Sequence, residues 1–224
     1  MAHSIAEFSG VQGQDHWSYG FYAQGPVGGG PHLYSTAGFT PFNTFKGFRW
    51  EAGDAQTGAN ANDFLSLNSP GGHPNGPDLG QTNLIWAVRR YESGVDALVD
   101  ISFDRGKINI QEPCGGGITG RIFIDGVEVF PQFIADTDAT GVQGLLSTHL
   151  AIGSKVDFAI GPTGVPPGDE SPYSARAEGT RFSVIITEHA IPEPSAALLG
   201  GVSGLALFFP RRQGRGGAGE KPVG

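Results

Sequence analysis

The chain has 224 residues with 37 glycines, 16 prolines, a single cysteine and a formal net charge of −8. Residues 1–190 hold 10 Lys/Arg against 20 Asp/Glu, and the remainder 4 against 2; such a body lacks the basic footprint that a nucleic-acid binder needs. One cysteine, Cys114 in a turn-like Glu-Pro-Cys-Gly stretch, excludes an intramolecular disulfide and any cysteine-built metal site.

Glycine and proline scattered between short apolar runs punctuate a chain of strands rather than helices. From Phe8 to Tyr22 aromatics are dense, and Trp17, Tyr19 and Phe21 share one period-2 face, which predicts a strand. Gly25–Pro31 reads as a loop, followed by short strand pieces at His32–Ser35 and Phe45–Glu51, the second with Phe48 and Trp50 on one face. After a loop at Gly53–Asn62 comes a brief strand, Phe64–Asn68, and then a long polar turn region, Ser69–Gly80. Thr82–Tyr91 sets Leu84, Trp86 and Val88 on one face, taken as the inward one. Val95–Asp104 alternates most cleanly, with Val95, Ala97, Val99, Ile101 and Phe103 opposite a face bearing Asp96, Asp100 and Asp104. Gly120–Phe130 reads as two strands joined at Asp125-Gly126, a dipeptide that favours a tight hairpin. Gln143–Ile152 and Lys155–Ile160 are expected to pair around Gly153-Ser154, and Arg181–Thr187 is the last strand after a loop at Gly161–Gly179. Nine or ten short strands without a convincing amphipathic helix predict an all-β fold, an antiparallel β-sandwich of jelly-roll type. In that arrangement the aromatic N-terminal strand and the C-terminal strand pair in one sheet.

Chemistry-bearing residues are few and spread out. The six histidines form neither a His-x-x-x-His nor a His-Glu pair, and no Gly-x-Ser-x-Gly elbow occurs. A glycosidase needs two carboxylates ~5–9 Å apart; Asp15, Glu51 and Asp63 are available for such a pair. A glycan-binding site needs an exposed aromatic platform with polar groups beside it. Trp17, Tyr19 and Trp50 are the first candidates, with Tyr22, Trp86 and the loop residues Tyr34 and Tyr173 behind them, against the alternative that tryptophans fill the core. No cofactor is expected beyond a structural calcium ion, whose candidate ligands are Asp136, Asp138 and Asp169, with Glu170 beside them. The alternative for those residues is a solvated acidic loop.

The C-terminus is the most informative stretch. Ile191-Pro192-Glu193-Pro194 breaks the preceding strand, an uncharged mostly apolar run spans Ser195–Phe209, and Pro210-Arg211-Arg212 follows. Break, apolar span and basic stop, in that order, orient a segment with its end on the cytoplasmic side of a membrane. As a helix the span would be about 22 Å long, short of the ~30 Å hydrocarbon core, and Gly200, Gly201 and Gly204 weaken it further. A marginal span at a chain end suits a transient sorting device that is cut off.

This stretch resembles the PEP-CTERM sorting signal of Gram-negative bacteria, on Pro192, Glu193, Pro194, the glycine-bearing apolar run and Arg211-Arg212. The resemblance implies export, recognition by a membrane-embedded exosortase, cleavage near the triplet, and delivery to the cell surface or exopolysaccharide matrix. Its tail runs on to Gly224, longer than the usual basic stub. The body resembles the galactose-binding or carbohydrate-binding-module jelly rolls that accompany such tails, on Trp17-Ser18-Tyr19-Gly20-Phe21-Tyr22, Ile122-Phe123-Ile124-Asp125-Gly126 and Gly168-Asp169.

The expected organisation is therefore a β-sandwich over residues 1–190, a sorting and transmembrane segment over 191–215, and a disordered Gly/Lys-rich end over 216–224. Met1–Gly10 lacks the basic and apolar regions of a secretory signal, so the export reading expects one upstream of this start, the alternative being a chain that is not exported. The expected function is a non-enzymatic, exported surface or matrix protein, either a structural matrix component or a weak glycan binder, with exosortase and extracellular polysaccharide as partners and a membrane contact before processing. The alternatives are an extracellular polysaccharide-acting enzyme and an adhesin module.

Overall fold

The computed structural model describes residues 1–26, 34–52, 64–75, 83–108, 116–162 and 179–189. The chain divides into two units, residues 1–189 and 190–224. The second unit, with the sorting residues Pro192, Glu193, Pro194, Arg211 and Arg212 and the expected C-terminal helix, lies outside the described residues, as do Cys114, Asp169, Glu170 and Tyr173.

The first unit is an antiparallel β-sandwich. Its strands are β1 (Ala2–His3), β2 (Trp17–Pro26), β3 (Thr40–Pro41), β4 (Thr44–Phe45), β5 (Arg49–Glu51), β6 (Ser66–Asn68) and β7 (Gly71–His73) in the first half. β8 (Asn83–Glu92), β9 (Ala97–Lys107), β10 (Ile118–Ile124), β11 (Val127–Ile134), β12 (Val142–Leu150), β13 (Lys155–Gly161) and β14 (Thr180–Glu188) follow. One sheet runs β12-β9-β14-β7-β6-β5-β4, with β1 also paired to β14; the other runs β11-β10-β13-β8-β2-β3.

One of the two expected hairpins forms where its turn chemistry demands it. Asp125 and Gly126 both take positive φ (49° and 88°), the twisted two-residue turn that joins β10 to β11. Gly153 (φ 83°) turns the chain between β12 and β13, but these strands do not pair as expected: β12 joins β9 in one sheet and β13 joins β10 and β8 in the other, so the turn crosses from sheet to sheet. Other expectations are corrected as well. The aromatic strand β2 does not pair with the last strand; it lies in the other sheet beside β8, and it is Ala2–His3 that joins β14. The turn-rich Ser69–Gly80 region contains β7, whose Gly71 lies so close to β14 that a Cβ would meet the Thr180 carbonyl. Ser35 does not belong to a strand either: its side chain accepts from Ala37 N and caps a short 3-10 turn, Thr36–Gly38.

The main core lies between the sheets, where Phe21, Ile85, Ile101, Phe158, Val184 and Ile186 meet. Two arginines cross it. Arg89 of β8 is fully buried and donates to the carbonyls of Ser4 (3.0 Å), Asn68 (2.8 Å) and Ser69 (3.2 Å). Arg105 of β9 donates to the Arg121 carbonyl on the opposite sheet at 3.0 Å. Phe182 stands between them, with the guanidinium carbons 5.1 and 5.0 Å from its ring centre. Burial pushes Arg89 down to about 10 and Arg105 down to about 9, so both remain charged at neutral pH.

Candidate functional site

The expected aromatic platform is not where the sequence put it. Trp17, Tyr19 and Trp50 are all buried in the main core. The segment before β2 covers them and supplies their polar partners: Trp17 Nε1 donates to Glu7 Oε2 (2.8 Å) and Trp50 Nε1 to the Ser9 carbonyl (2.8 Å). Tyr19 and Trp50 are stacked on each other, with centroids 6.1 Å apart at 16°. Their faces are therefore taken, because satisfied indole N–H groups let tryptophan bury fully.

A second aromatic group forms on the outer face of the six-stranded sheet. Alternation along β8 sends Ile85, Ala87 and Tyr91 to the main core and Trp86 and Val88 to the opposite face, so Trp86 points away from the sandwich interior, the reverse of its expected direction. Phe123 of β10 and Ala159 of β13 join it there, and Tyr22, Tyr34 and Phe39 pack on top. Small residues make the floor. A Cβ at Gly161 would come within 3.2 Å of Trp86 Nε1, and one at Gly20 within 2.7 Å of the Phe39 ring. Tyr34 lies nearly parallel to Trp86 (6.0 Å, 6°) and stacks on Phe123 (3.9 Å, 19°), while Tyr22 tilts against it at 4.8 Å.

Charged groups border this nest. The fully buried Asp157 of β13 takes Arg90 in a two-point pair, from Nε to Oδ1 at 2.6 Å and from Nη2 to Oδ2 at 2.8 Å. The Tyr34 hydroxyl also donates to Oδ2, at 2.6 Å. Burial and then the adjacent carboxylate push the Tyr34 phenol well above its ordinary value. Burial works against the Arg90 charge, but the Asp157 carboxylate outweighs it and holds the guanidinium above its usual value. Arg90 also stacks on Phe39 (4.1 Å) and donates to the Thr36 carbonyl (3.1 Å). Arg121 lies 5.0 Å over Trp86 and reaches Glu128 at 2.6 Å. The arrangement joins an aromatic surface to a buried acceptor and buried donors, the ingredients for seating a ring that carries hydroxyl groups.

The outer face of the eight-stranded sheet mixes polar side chains with the exposed Leu98 and Leu145. An open depression of about 290 Å³ is lined by Ser102, Asp104, Gln143, Gly144, Ser183 and Ile185. Its groups already bind one another, since Asp104 accepts from Gln143 (2.9 Å) and Arg181 (3.2 Å). The aspartate ladder along β9 is likewise occupied: Asp96 meets His149 and Asp100 meets Ser147 and His189. The Ser147 hydroxyl, and then His189, hold the Asp100 carboxyl below its ordinary range.

Of the expected calcium ligands, Asp136 and Asp138 lie among the described residues, and each already has a partner. Asp136 faces the buried Lys107 ammonium at 3.0 Å, so a positive charge already stands where a cation would bind. Asp138 Oδ1 accepts from Gly141 N (2.9 Å), closing the turn before β12. Of the carboxylates open to a glycosidase pair, Glu51 is tied to Arg49 (2.9 Å) and Lys46 (3.4 Å). Asp15 sits in a 3-10 turn at φ 51°, and Asp63 lies outside the described residues.

Sequence reasoning missed Arg90, Phe123 and Asp157. The available signal was opposite charges within two mainly apolar runs, Asp157 in Lys155–Ile160 and Arg90, beside Arg89, in Thr82–Tyr91, which face each other in register across β13 and β8.

No protein-family model matches the chain, and no curated protein matches it. Among solved structures it is similar at 12% identity to a β-glucosidase from Kluyveromyces marxianus in complex with glucose, with a TM-score of 0.35 over 91% of this chain. The chain spans 20% of that enzyme's length. It is also similar, at 12% identity, to a family 35 carbohydrate-binding module from Paenibacillus barcinonensis (TM-score 0.26, 51% of this chain and 84% of that one). A family 51 module from Clostridium perfringens in complex with methyl-galactose gives a TM-score of 0.31 at 12% identity, over 53% of this chain and 81% of that one. At such scores the ligands of those proteins are not carried over to this chain.

Proposed function

We propose that this protein is an exported, non-enzymatic surface or matrix component that binds glycan weakly through the aromatic nest on its six-stranded sheet. Its destination is set by the C-terminal signal, recognised by an exosortase and cut near Pro192-Glu193-Pro194. The order of break, apolar span and Arg211-Arg212 in the sequence supports the sorting half. The observation that carries the binding half is the Tyr22, Tyr34, Trp86 and Phe123 group bordered by Asp157, Arg90 and Arg121. A ring with one apolar face and several hydroxyls matches that pairing of aromatic surface and buried polar groups better than an ion or an extended peptide does. The non-enzymatic reading is favoured by carboxylates already committed to basic side chains, Glu51, Asp104, Glu128 and Asp157 among them.

Two measurements test the two halves. Expression in a bacterium that has an exosortase, behind a secretory signal, should yield a surface product whose intact mass ends near Pro192-Glu193-Pro194; a full-length chain in the cytoplasm would refute the sorting half. In native gels containing neutral polysaccharide, the chain should be retarded and its Trp86→Ala variant should not. Equal mobility of the two would refute binding at the nest.

A further inference from the structure

Tyr34 makes the contacts that a bound sugar ring would make. Its ring is flat against Trp86 and Phe123, and its single hydroxyl donates to a carboxylate that is otherwise sealed inside the protein. We propose that Tyr34 is an internal stand-in for ligand: it fills a subsite formed by Trp86, Phe123 and Asp157, and a neutral pyranose unit binds there by displacing the Tyr34 side chain. The inference rests on the glycan-binding reading above and adds to it the seat, the ligand class and the competitor.

Three observations support displacement of this side chain alone. Tyr34 stands one residue before the capped turn that begins at Ser35, and that turn is anchored independently of it. Thr36 is held by Arg90 at 3.1 Å, Phe39 lies under the same guanidinium, and Phe42 N bonds to the Tyr19 carbonyl at 2.9 Å. Rotation about the Tyr34 side-chain bonds therefore frees the ring while the turn stays docked. Second, Asp157 keeps both contacts to Arg90 when the phenol leaves, so its charge stays compensated and only one acceptor position on Oδ2 opens. Third, Arg121 Nε is a buried donor without a partner among the described residues, next to Trp86, and it is available to a ligand oxygen.

The vacated position defines the ligand. Asp157 accepts and cannot donate, so the incoming group must bring a hydroxyl where the phenol was. The Trp86 and Phe123 faces take the C–H side of a saturated ring. A uronate unit would set a second carboxylate near Asp157, on a body that already holds 20 acidic against 10 basic side chains, and like charges at short range are unfavourable. Neutral sugars are therefore selected over acidic ones.

The test is native affinity electrophoresis of the full chain through gels containing dextran, galactan or xylan, with alginate as the polyuronate. If Tyr34 occupies its own site most of the time, removing it tightens apparent affinity by the reciprocal of the open fraction, about tenfold or more. Tyr34→Ala should then be retarded more strongly than the parent by at least one neutral polymer, and adding Trp86→Ala should abolish the gain. Tyr34→Phe keeps the ring, loses the hydroxyl and should tighten binding by roughly two- to fivefold; it decides the matter if the alanine variant does not fold. Weaker or unchanged binding by Tyr34→Phe or a folded Tyr34→Ala makes Tyr34 part of the platform and overturns the stand-in, while leaving glycan binding intact. Absence of retardation for every variant overturns both. Stronger retardation by alginate than by any neutral polymer overturns the ligand class.

Discussion

Replacing Arg89 by methionine tests how the two sheets are held together. Methionine fills most of the space of the arginine stem but carries no donor, so the carbonyls of Ser4, Asn68 and Ser69 lose their partner at once. At about 1.5 kcal/mol for each such group, that loss is about 4.5 kcal/mol. The guanidinium also lies 5.8, 5.9 and 5.1 Å from the ring centres of Phe8, Tyr19 and Phe182, contacts worth about 2 kcal/mol together. Against this stands the relief of a buried charge. A fall from the ordinary 12.5 to about 10 corresponds to roughly 3 kcal/mol of penalty that methionine removes. The balance is a destabilisation of about 3 kcal/mol, or a melting temperature lower by about 6–12 °C for a unit of this size. Urea unfolding of Arg89→Met followed by circular dichroism measures it. Arg89→Lys, which keeps the charge but cannot span three carbonyls, should fall between the two. A methionine variant as stable as the parent would refute the reasoning, because it would mean that charge burial outweighs the three hydrogen bonds.

Other outcomes follow from buried groups and close approaches. Burial, reinforced by Lys107 and opposed by the hydrogen bond to the Pro74 carbonyl, holds His73 down to about 4. The unfolded chain takes up that proton near 6.5, so stability should fall as pH drops from about 6.5 towards 4, by up to roughly 3 kcal/mol; His73→Gln should flatten this limb of the urea-midpoint profile. Tyr34 is shifted the other way, so its contribution is complete below pH 10 and declines above it as the unfolded phenol ionises first. A free phenol ionises at ~10, so difference absorbance at 295 nm should show the native chain and Tyr34→Phe titrating the same number of tyrosines near that pH. Gly20→Ala would press a Cβ into the Thr40 carbonyl, lifting β3 and Phe39 from the sheet at a cost of roughly 1–3 kcal/mol, again read from the urea midpoint.

The strands were largely readable because their chemistry is local. Asp125-Gly126 marks its own turn, and the alternation of Val99, Ile101 and Phe103 with Asp100, Ser102 and Asp104 survives as inward and outward faces of β9. What the sequence could not disclose was which face of β8 meets the main core. Leu84, Trp86 and Val88 look like a core face, and Arg89 looks like a surface residue, yet both faces of this strand are covered. A strand buried on both sides loses the polar alternation that separates inside from outside. The burial of Trp17 and Trp50 was equally hidden, since it depends on Glu7 and Ser9 arriving from an irregular segment to satisfy two indoles.

The placement of the cations has a consequence for encounters at the surface. Arg89, Arg90, Arg105, Lys107 and Arg121 are all buried, half of the ten basic side chains of residues 1–190. At long range an approaching molecule responds to the net charge, whichever side of the surface the charges lie on. On contact it meets carboxylates with few ammonium or guanidinium groups left to grip a phosphate or sulfate. Polyanions are thus turned away twice, first by the field and then by the shortage of exposed donors. Molecules rich in uncharged hydroxyls meet neither obstacle.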